Sequence, residues 1–255
     1  MNFIFKFMVF CLWATFGCQA ATLIPNQPTG LNLPGIYYDF YNIRFSSLTQ
    51  EGGADANLHG DSLKISFGNF GGVTSGTGLK FDFSSAQIGF TVQSEYPTAV
   101  INDLQISASG TYSVVASMTA GSWAEVITQI PFNLAVVGVN GIPYADADLV
   151  RGYSLDVLPT QVSVVQNGDR VDAGSWNATW SISGLGASLA AIFNIPTMNI
   201  TALDLAITPD LSNMSMDGTS SLYLNQLVFA AVPEPSSLSL LSLGAVWCLA
   251  RRRRA

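Results

Sequence analysis

Apolar and polar residues alternate with a period of two along most of this chain, and that rhythm restricts what it can become. Leu63, Ile65 and Phe67 bracket Lys64 and Ser66, and Leu79, Phe81 and Phe83 bracket Lys80 and Asp82. The same beat runs through Ile88, Phe90 and Val92, through Leu104, Ile106 and Ala108, and along Val126, Thr128, Ile130, Phe132, Leu134 and Val136. It returns at Val162 and Val164, at Trp176, Ala178, Trp180 and Ile182, at Leu203, Leu205 and Ile207, and at Leu222, Leu224 and Val228. Successive side chains of a strand point to opposite faces, so each stretch reads as an antiparallel strand packed on one side. Gly71-Gly72, Gly76-Thr77-Gly78, Asn140-Gly141, Asn167-Gly168-Asp169 and Asp217-Gly218 separate these stretches and read as turns. Roughly ten or more short strands at hairpin spacing, without βα units, predict an all-β fold, an antiparallel β-sandwich of jelly-roll type. Only Leu185 to Phe193 has helical composition, as a short helix closing one end.

The expected core comprises Phe67, Phe81, Phe90, Trp176, Trp180, Leu203, Leu205 and the strand from Val126 to Val136. Disulfides cannot support it. All three cysteines, Cys11, Cys18 and Cys248, lie near the two ends, which leaves residues 21–231 without one. A Cys-based zinc site is excluded for the same reason, and the single histidine, His59, cannot fill one. That body is long enough to bury its own core as one domain. Its charge is lopsided: away from Lys6 and Arg251 to Arg254, five basic residues face 17 acidic ones. Such a surface disfavours nucleic acid, whose binding needs clustered Lys and Arg.

Few residues in the body carry chemistry. His59-Gly60-Asp61-Ser62 has the residue types of a catalytic triad, but neighbours in one turn cannot converge on a substrate, and no Gly-x-Ser-x-Gly elbow is present. Asp146 with Asp148, and Asp169 with Asp172, place paired carboxylates near turns, the only candidate Ca²⁺ ligands; solvated loop acids are the default reading, and no other cofactor is expected. Tyr37, Tyr38 and Tyr41 form an aromatic cluster able to stack on sugar rings, although strand propensity alone explains it. A glycoside hydrolase would need two carboxylates roughly 5 to 10 Å apart across a cleft, which spacing along the chain does not reveal.

The two ends are more specific. Residues 1–20 combine Lys6, an apolar run from Phe7 to Phe16 and a small-residue exit at Gly17-Cys18-Gln19-Ala20-Ala21. This is a secretory signal peptide for Sec-type export, with cleavage between Ala20 and Ala21. Lipidation at Cys18 is the alternative, but such signals favour leucine three positions earlier, where Thr15 stands. At the other end, Val232-Pro233-Glu234-Pro235 is followed by an apolar run from Leu238 to Ala250 and by Arg251, Arg252, Arg253 and Arg254. The prolines hold the backbone extended, and the arginines stop and orient an inserted helix. The run spans roughly 20 Å as a helix, less than the roughly 30 Å of a bilayer core, which suits a short or transient anchor.

Residues 232–255 resemble the PEP-CTERM sorting signal of bacterial exopolysaccharide-associated proteins, in motif, in order and in position. The resemblance implies recognition by an exosortase, a membrane-embedded cysteine transpeptidase acting at or near Pro233-Glu234-Pro235. It covers only this tail. The expectation is therefore a non-enzymatic protein, exported across the inner membrane, membrane-anchored as a precursor, and retained after processing at the cell surface or in a polysaccharide matrix. The alternative is a carbohydrate-binding or glycan-processing module.

Overall fold

The computed structural model describes residues 31–35, 37–47, 54–96, 99–118, 120–144, 150–155, 163–166 and 171–233. They are almost wholly strand: β1 (Leu31–Leu33), β2 (Tyr38–Ser47), β3 (Ala54–His59), β4 (Ser62–Ser94), β5 (Ile101–Ala116), β6 (Trp123–Val139), β7 (Ile142–Pro143), β8 (Val150–Leu155), β9 (Ser163–Gln166), β10 (Val171–Ile182), β11 (Ile200–Ile207) and β12 (Asp210–Pro233). One helix, α1 (Leu185–Phe193), stands between β10 and β11 where helical composition predicted it. The all-β expectation holds.

Strand length departs from the expectation of many short hairpins. β4 runs for 33 residues, β12 for 24, β6 for 17 and β5 for 16. Gly71-Gly72 and Gly76-Thr77-Gly78 lie inside β4, and Asp217-Gly218 inside β12. Among the described residues only Asn140-Gly141 makes the expected tight turn, with φ of 54° and 74° joining β6 to β7, while Asn167-Gly168-Asp169 lies outside them. The reason is that turns and β-bulges both demand positive φ and therefore select the same residues. Met216 pairs with Leu79 and Gly218 with Gly76, so one strand carries an extra residue there. Asp217, at φ 50°, accepts the Gly78 N–H through Oδ1 at 2.7 Å and ties the bulge shut.

Bulges also reset which residues face inward, because an extra residue flips the two-residue phase. In β4 the buried series is Leu63, Ile65 and Phe67 before the irregularity at Gly68-Asn69, and Phe70, Thr74, Ala86, Ile88, Phe90 and Val92 after it. Phe81, expected in the core, falls on the outward phase and is 60% exposed. β12 flips twice: Leu211 and Ser215 point inward, then Ser220, Leu222 and Leu224, then Leu227 and Phe229. Val228, grouped with Leu222 and Leu224 by simple alternation, is only half-buried.

In place of two separate sheets, the strands form one network whose path runs β1-β2-β4-β11-β6-β12-β5-β10. β12 also pairs with β4, so β4, β11, β6 and β12 close a ring. The long strands allow this by changing partners midway. β4 lies against β12 up to Ser85 and against β2 from Ala86, and β6 lies against β12 up to Gln129 and against β11 from Phe132. The bend from β11 into β12 sits at this changeover. Thr208 N–H donates to the Pro131 carbonyl at 2.8 Å, and Ala86 N–H donates to the Pro209 carbonyl at 3.2 Å.

An apolar cluster fills the interior between β2, β4 and β12. Phe40, Phe90 and Phe229 meet with ring centroids 5.2 to 6.0 Å apart, two of the pairs edge-on. Each fully buried ring contributes about 1.5–3 kcal/mol. Trp176 is buried as expected, and its indole lies over Gly110: a Cβ on Gly110 would come within 2.6 Å of the ring and 1.9 Å of the Tyr223 carbonyl. That absence of a side chain lets Nε1 cross β5 and donate to Tyr223 O at 3.1 Å. Trp180 is half-buried and packs 4.9 Å from both Phe132 and Tyr153.

Candidate functional site

Four strands, β2, β4, β11 and β6, present their outward faces side by side. Residues directly opposite in antiparallel strands share a face. One row across them reads Tyr41, Thr91, Asp204 and Ala135. The next reads Arg44, Gly89, Ala206 and Asn133, continuing to Gly152 of β8. Glycine and alanine thus make a low floor with polar groups standing on it. At one side, where the β6–β7 turn folds over, a cavity of about 330 Å³ is lined by Thr91, Gln93, Glu95, Gly138, Ile142 and Thr201, among others. Its floor is tight: a Cβ on Gly138 would approach the Ala202 Cβ to 2.8 Å.

Asp204 is the chemical centre of this face. Thr91 donates its hydroxyl to Asp204 Oδ1 at 2.5 Å. Burial pushes the Asp204 carboxyl above its ordinary range; the Thr91 hydrogen bond and the positive charge of Arg44 pull the other way without cancelling it. Tyr41 donates to Asp39 Oδ2 at 2.8 Å, and that bond, with burial and the Asp39 charge, raises the phenol. Asp39 Oδ1 in turn accepts the Gly35 N–H at 3.0 Å. None of Asp204, Thr91 or Arg44 stood out in the sequence, because Asp204 occupies the ordinary polar position between Leu203 and Leu205.

The candidates named from sequence separate in the fold. Tyr37 is 45% exposed, Tyr38 is wholly buried and donates its hydroxyl to the Val100 carbonyl at 2.9 Å, and Tyr41 joins the Asp204 row. Alternation along β2 splits the cluster, so Tyr38 is a core residue and not a stacking platform. His59 and Gly60 sit at the β3–β4 hairpin, where Asp61 Oδ1 accepts the Tyr37 and Tyr38 N–H groups at 2.7 and 3.3 Å; the polar run is a structural turn. Asp172 accepts a hydrogen bond from the Tyr112 hydroxyl at 3.1 Å, and burial first, then this bond, raises that phenol. Asp146, Asp148 and Asp169 lie outside the described residues, as do Ala20, Ala21, Glu234, Pro235, the Leu238 to Ala250 segment and Arg251 to Arg254. Among the described residues no three His, Cys, Asp or Glu side chains gather as metal ligands, and no helix is long and apolar enough to cross a membrane.

The start of the tail is described. Ala231 is buried and pairs with Leu104, Val232 pairs with Asp103, and Pro233 ends β12 opposite Ile101. A proline-bounded segment at the end of a strand, followed by an apolar run and four arginines, defines an exported precursor with a sorting tail. Residues 231–254 match the PEP-CTERM protein-sorting motif, so this is an exosortase substrate, exported and membrane-anchored before processing. No curated protein matches the chain. Among solved structures, the enzymatically active domain of bacteriophage CBA120 tailspike protein 4 overlaps at a TM-score of 0.24 and 10% identity, over 75% of this chain and 19% of that one. An overlap at that score says nothing about fold or activity here.

Proposed function

We propose that residues 21–231 form a non-catalytic protein of the bacterial surface or extracellular matrix, exported through a Sec-type route, released or re-anchored at 232–235, and held among polysaccharide by the outward face around Asp204. The match of the tail to a sorting motif carries the export half of this reading. The cavity beside Asp204 supports the other half. At about 330 Å³ it stands at the small end of ligand sites, with room for about one sugar unit. Thr91, Gln93, Glu95 and Thr201 offer hydroxyl, amide and carboxylate groups over a Gly and Ala floor, a set suited to a neutral polyhydroxylated ligand.

A binding role is preferred to hydrolysis because the Asp204 carboxylate accepts from the Thr91 hydroxyl and the Asp39 carboxylate from the Tyr41 hydroxyl and the Gly35 N–H, so both are held as fixed acceptors. No cofactor enters the reading; Ca²⁺ at Asp146, Asp148, Asp169 and Asp172 would be a stabilising addition only. The test is glycan-array binding by the exported, processed protein beside Asp204→Asn and Gln93→Ala variants. Binding of neutral glycans that weakens roughly tenfold in both variants, without release of shorter sugars, is the expected result. Glycans bound equally by all three proteins would remove the face from consideration, and cleavage products would overturn the non-catalytic reading.

A further inference from the structure

The sorting motif and the folded body share residues. The matched segment begins at Ala231, while β12 continues to Pro233, so the first three matched residues are paired strand. Their pairing is one-sided. From Gly218 to Ala230, β12 lies between β4 and β5; among the described residues, Ala231, Val232 and Pro233 pair with β5 alone, through Leu104, Asp103 and Ile101. The register slips between Val232 and Pro233, skipping Asn102, so the ladder is already imperfect where the motif's first proline stands. The β5 end that holds them is itself anchored: Ile101 and Leu104 are buried, and the Asp103 carboxylate accepts the Gly184 N–H at 3.1 Å at the start of α1.

We infer that β5 acts as a brake on sorting: Ala231, Val232 and Pro233 must peel from Leu104, Asp103 and Ile101 before exosortase can engage the motif. A processing enzyme takes its substrate as an extended chain with free backbone groups, and here those groups on the amino side of Glu234 are committed to a ladder. One-sided pairing keeps the opening local, because β12 up to Ala230 remains held by both neighbours while the last three residues separate. The rate of processing therefore follows the fraction of molecules with this strand end open. This inference rests on the sorting reading of the tail and goes beyond it by assigning Ile101, Asn102 and Asp103 a role in exosortase access.

The experiment follows processing of the full-length chain in its host by mass spectrometry after a pulse of synthesis. A six-residue Gly-Ser insertion between Ala231 and Val232 keeps Val232 to Arg254 intact and carries them clear of β5. It is expected to raise the processing rate roughly tenfold, the change that follows when opening no longer limits the competent fraction. The opposite arm pairs Asp103→Cys with Val232→Cys, residues that stand directly across the ladder. In this variant processing is expected to stall when the thiols are oxidised and resume on adding reductant, so the comparison lies within one protein. Unchanged or slower processing of the insertion variant, or equal rates for the oxidised and reduced double-cysteine protein, would overturn the brake. A Pro233→Ala, Glu234→Ala control separates the two ideas: if it is processed like the parent, the sorting reading fails as well.

Discussion

Two regions of the interior, built on the same two long strands, hold together by different means. Phe90, near the C-terminal end of β4, and Phe229 of β12, paired opposite Leu63 at the start of β4, close on Phe40 of β2 in a wholly apolar packing. The middle of β4, with the β12 residues paired to it, instead buries Thr74, Ser84, Asn213, Ser215 and Ser220. There Thr74 Oγ1 lies 2.6 Å from Ser220 Oγ and accepts from Ser215 Oγ at 2.9 Å, while Ser84 Oγ donates to the Gly71 carbonyl at 3.0 Å. The polar seam is also where backbones come closest: a Cβ on Gly71 would stand 2.0 Å from the Leu222 carbonyl, and one on Gly72 would strike the Asp82 carboxylate. Where ring closure brings strands too near for large side chains, small hydroxyl residues fill the space, and hydrogen bonds replace part of the lost apolar burial.

Mutations in the two regions should therefore differ in size and in sign. Phe229→Ala leaves a cavity in the aromatic cluster and is expected to cost about 3–5 kcal/mol, read from chemical denaturation. A loss under about 1 kcal/mol would mean that this cluster is not the anchor of the fold. In the seam, Gly71→Ala forces a methyl group against the Leu222 carbonyl at a φ of 148°, and a cost of about 1–3 kcal/mol is expected.

Asn213 reverses the sign. It is 1% exposed, and neither its Oδ1 nor its Nδ2 has a hydrogen-bond partner among the described residues. Asn213→Leu removes two buried unsatisfied groups at similar volume, so stability should rise by about 1 kcal/mol, read as a higher Tm. A drop of that size would show that the amide is held, and the seam would then be a satisfied network throughout.

The smallest effect belongs to the outward face and depends on pH. Burial raises the Asp204 carboxyl above its ordinary value of 3.8. Below that value both the folded and the unfolded chain keep the proton, and its burial costs least. As pH rises through 3.8 and on through the raised folded value, the unfolded chain gives up its proton first and stability falls. Asp204→Asn cannot ionise, so its stability relative to the parent should climb across this window and level off above it. A difference that stays flat with pH would mean that Asp204 is solvated like any surface acid.

Much of the fold was legible in the alternation, since Ile88, Phe90 and Val92 or Leu203, Leu205 and Ile207 are buried as their spacing predicts. The failures are concentrated at bulges. Phe81 obeys the local rhythm perfectly and still faces outward, because one irregularity at Gly68-Asn69 shifts the phase of everything after it. Tyr38 belongs to a cluster that looks like a binding surface and is buried, while Tyr41 reaches the Asp204 row. Apart from Tyr41, the candidate site was not legible. Thr91 and Asp204 lie 113 positions apart, and nothing near either one announces the other.

Residue order alone settled two matters: a strand-forming body without cysteine, and an address written as Pro233-Glu234-Pro235, an apolar run and Arg251 to Arg254. Both are properties of neighbouring residues, of torsional preference, period and local charge. Tertiary structure decided whether a glycine bends the chain or only offsets it, which aromatic rings reach the interior, where a half-buried carboxylate finds its hydroxyl, and how far the fold extends into the address. Those depend on which strands pair and in what register, and pairing joins segments that share no local signal.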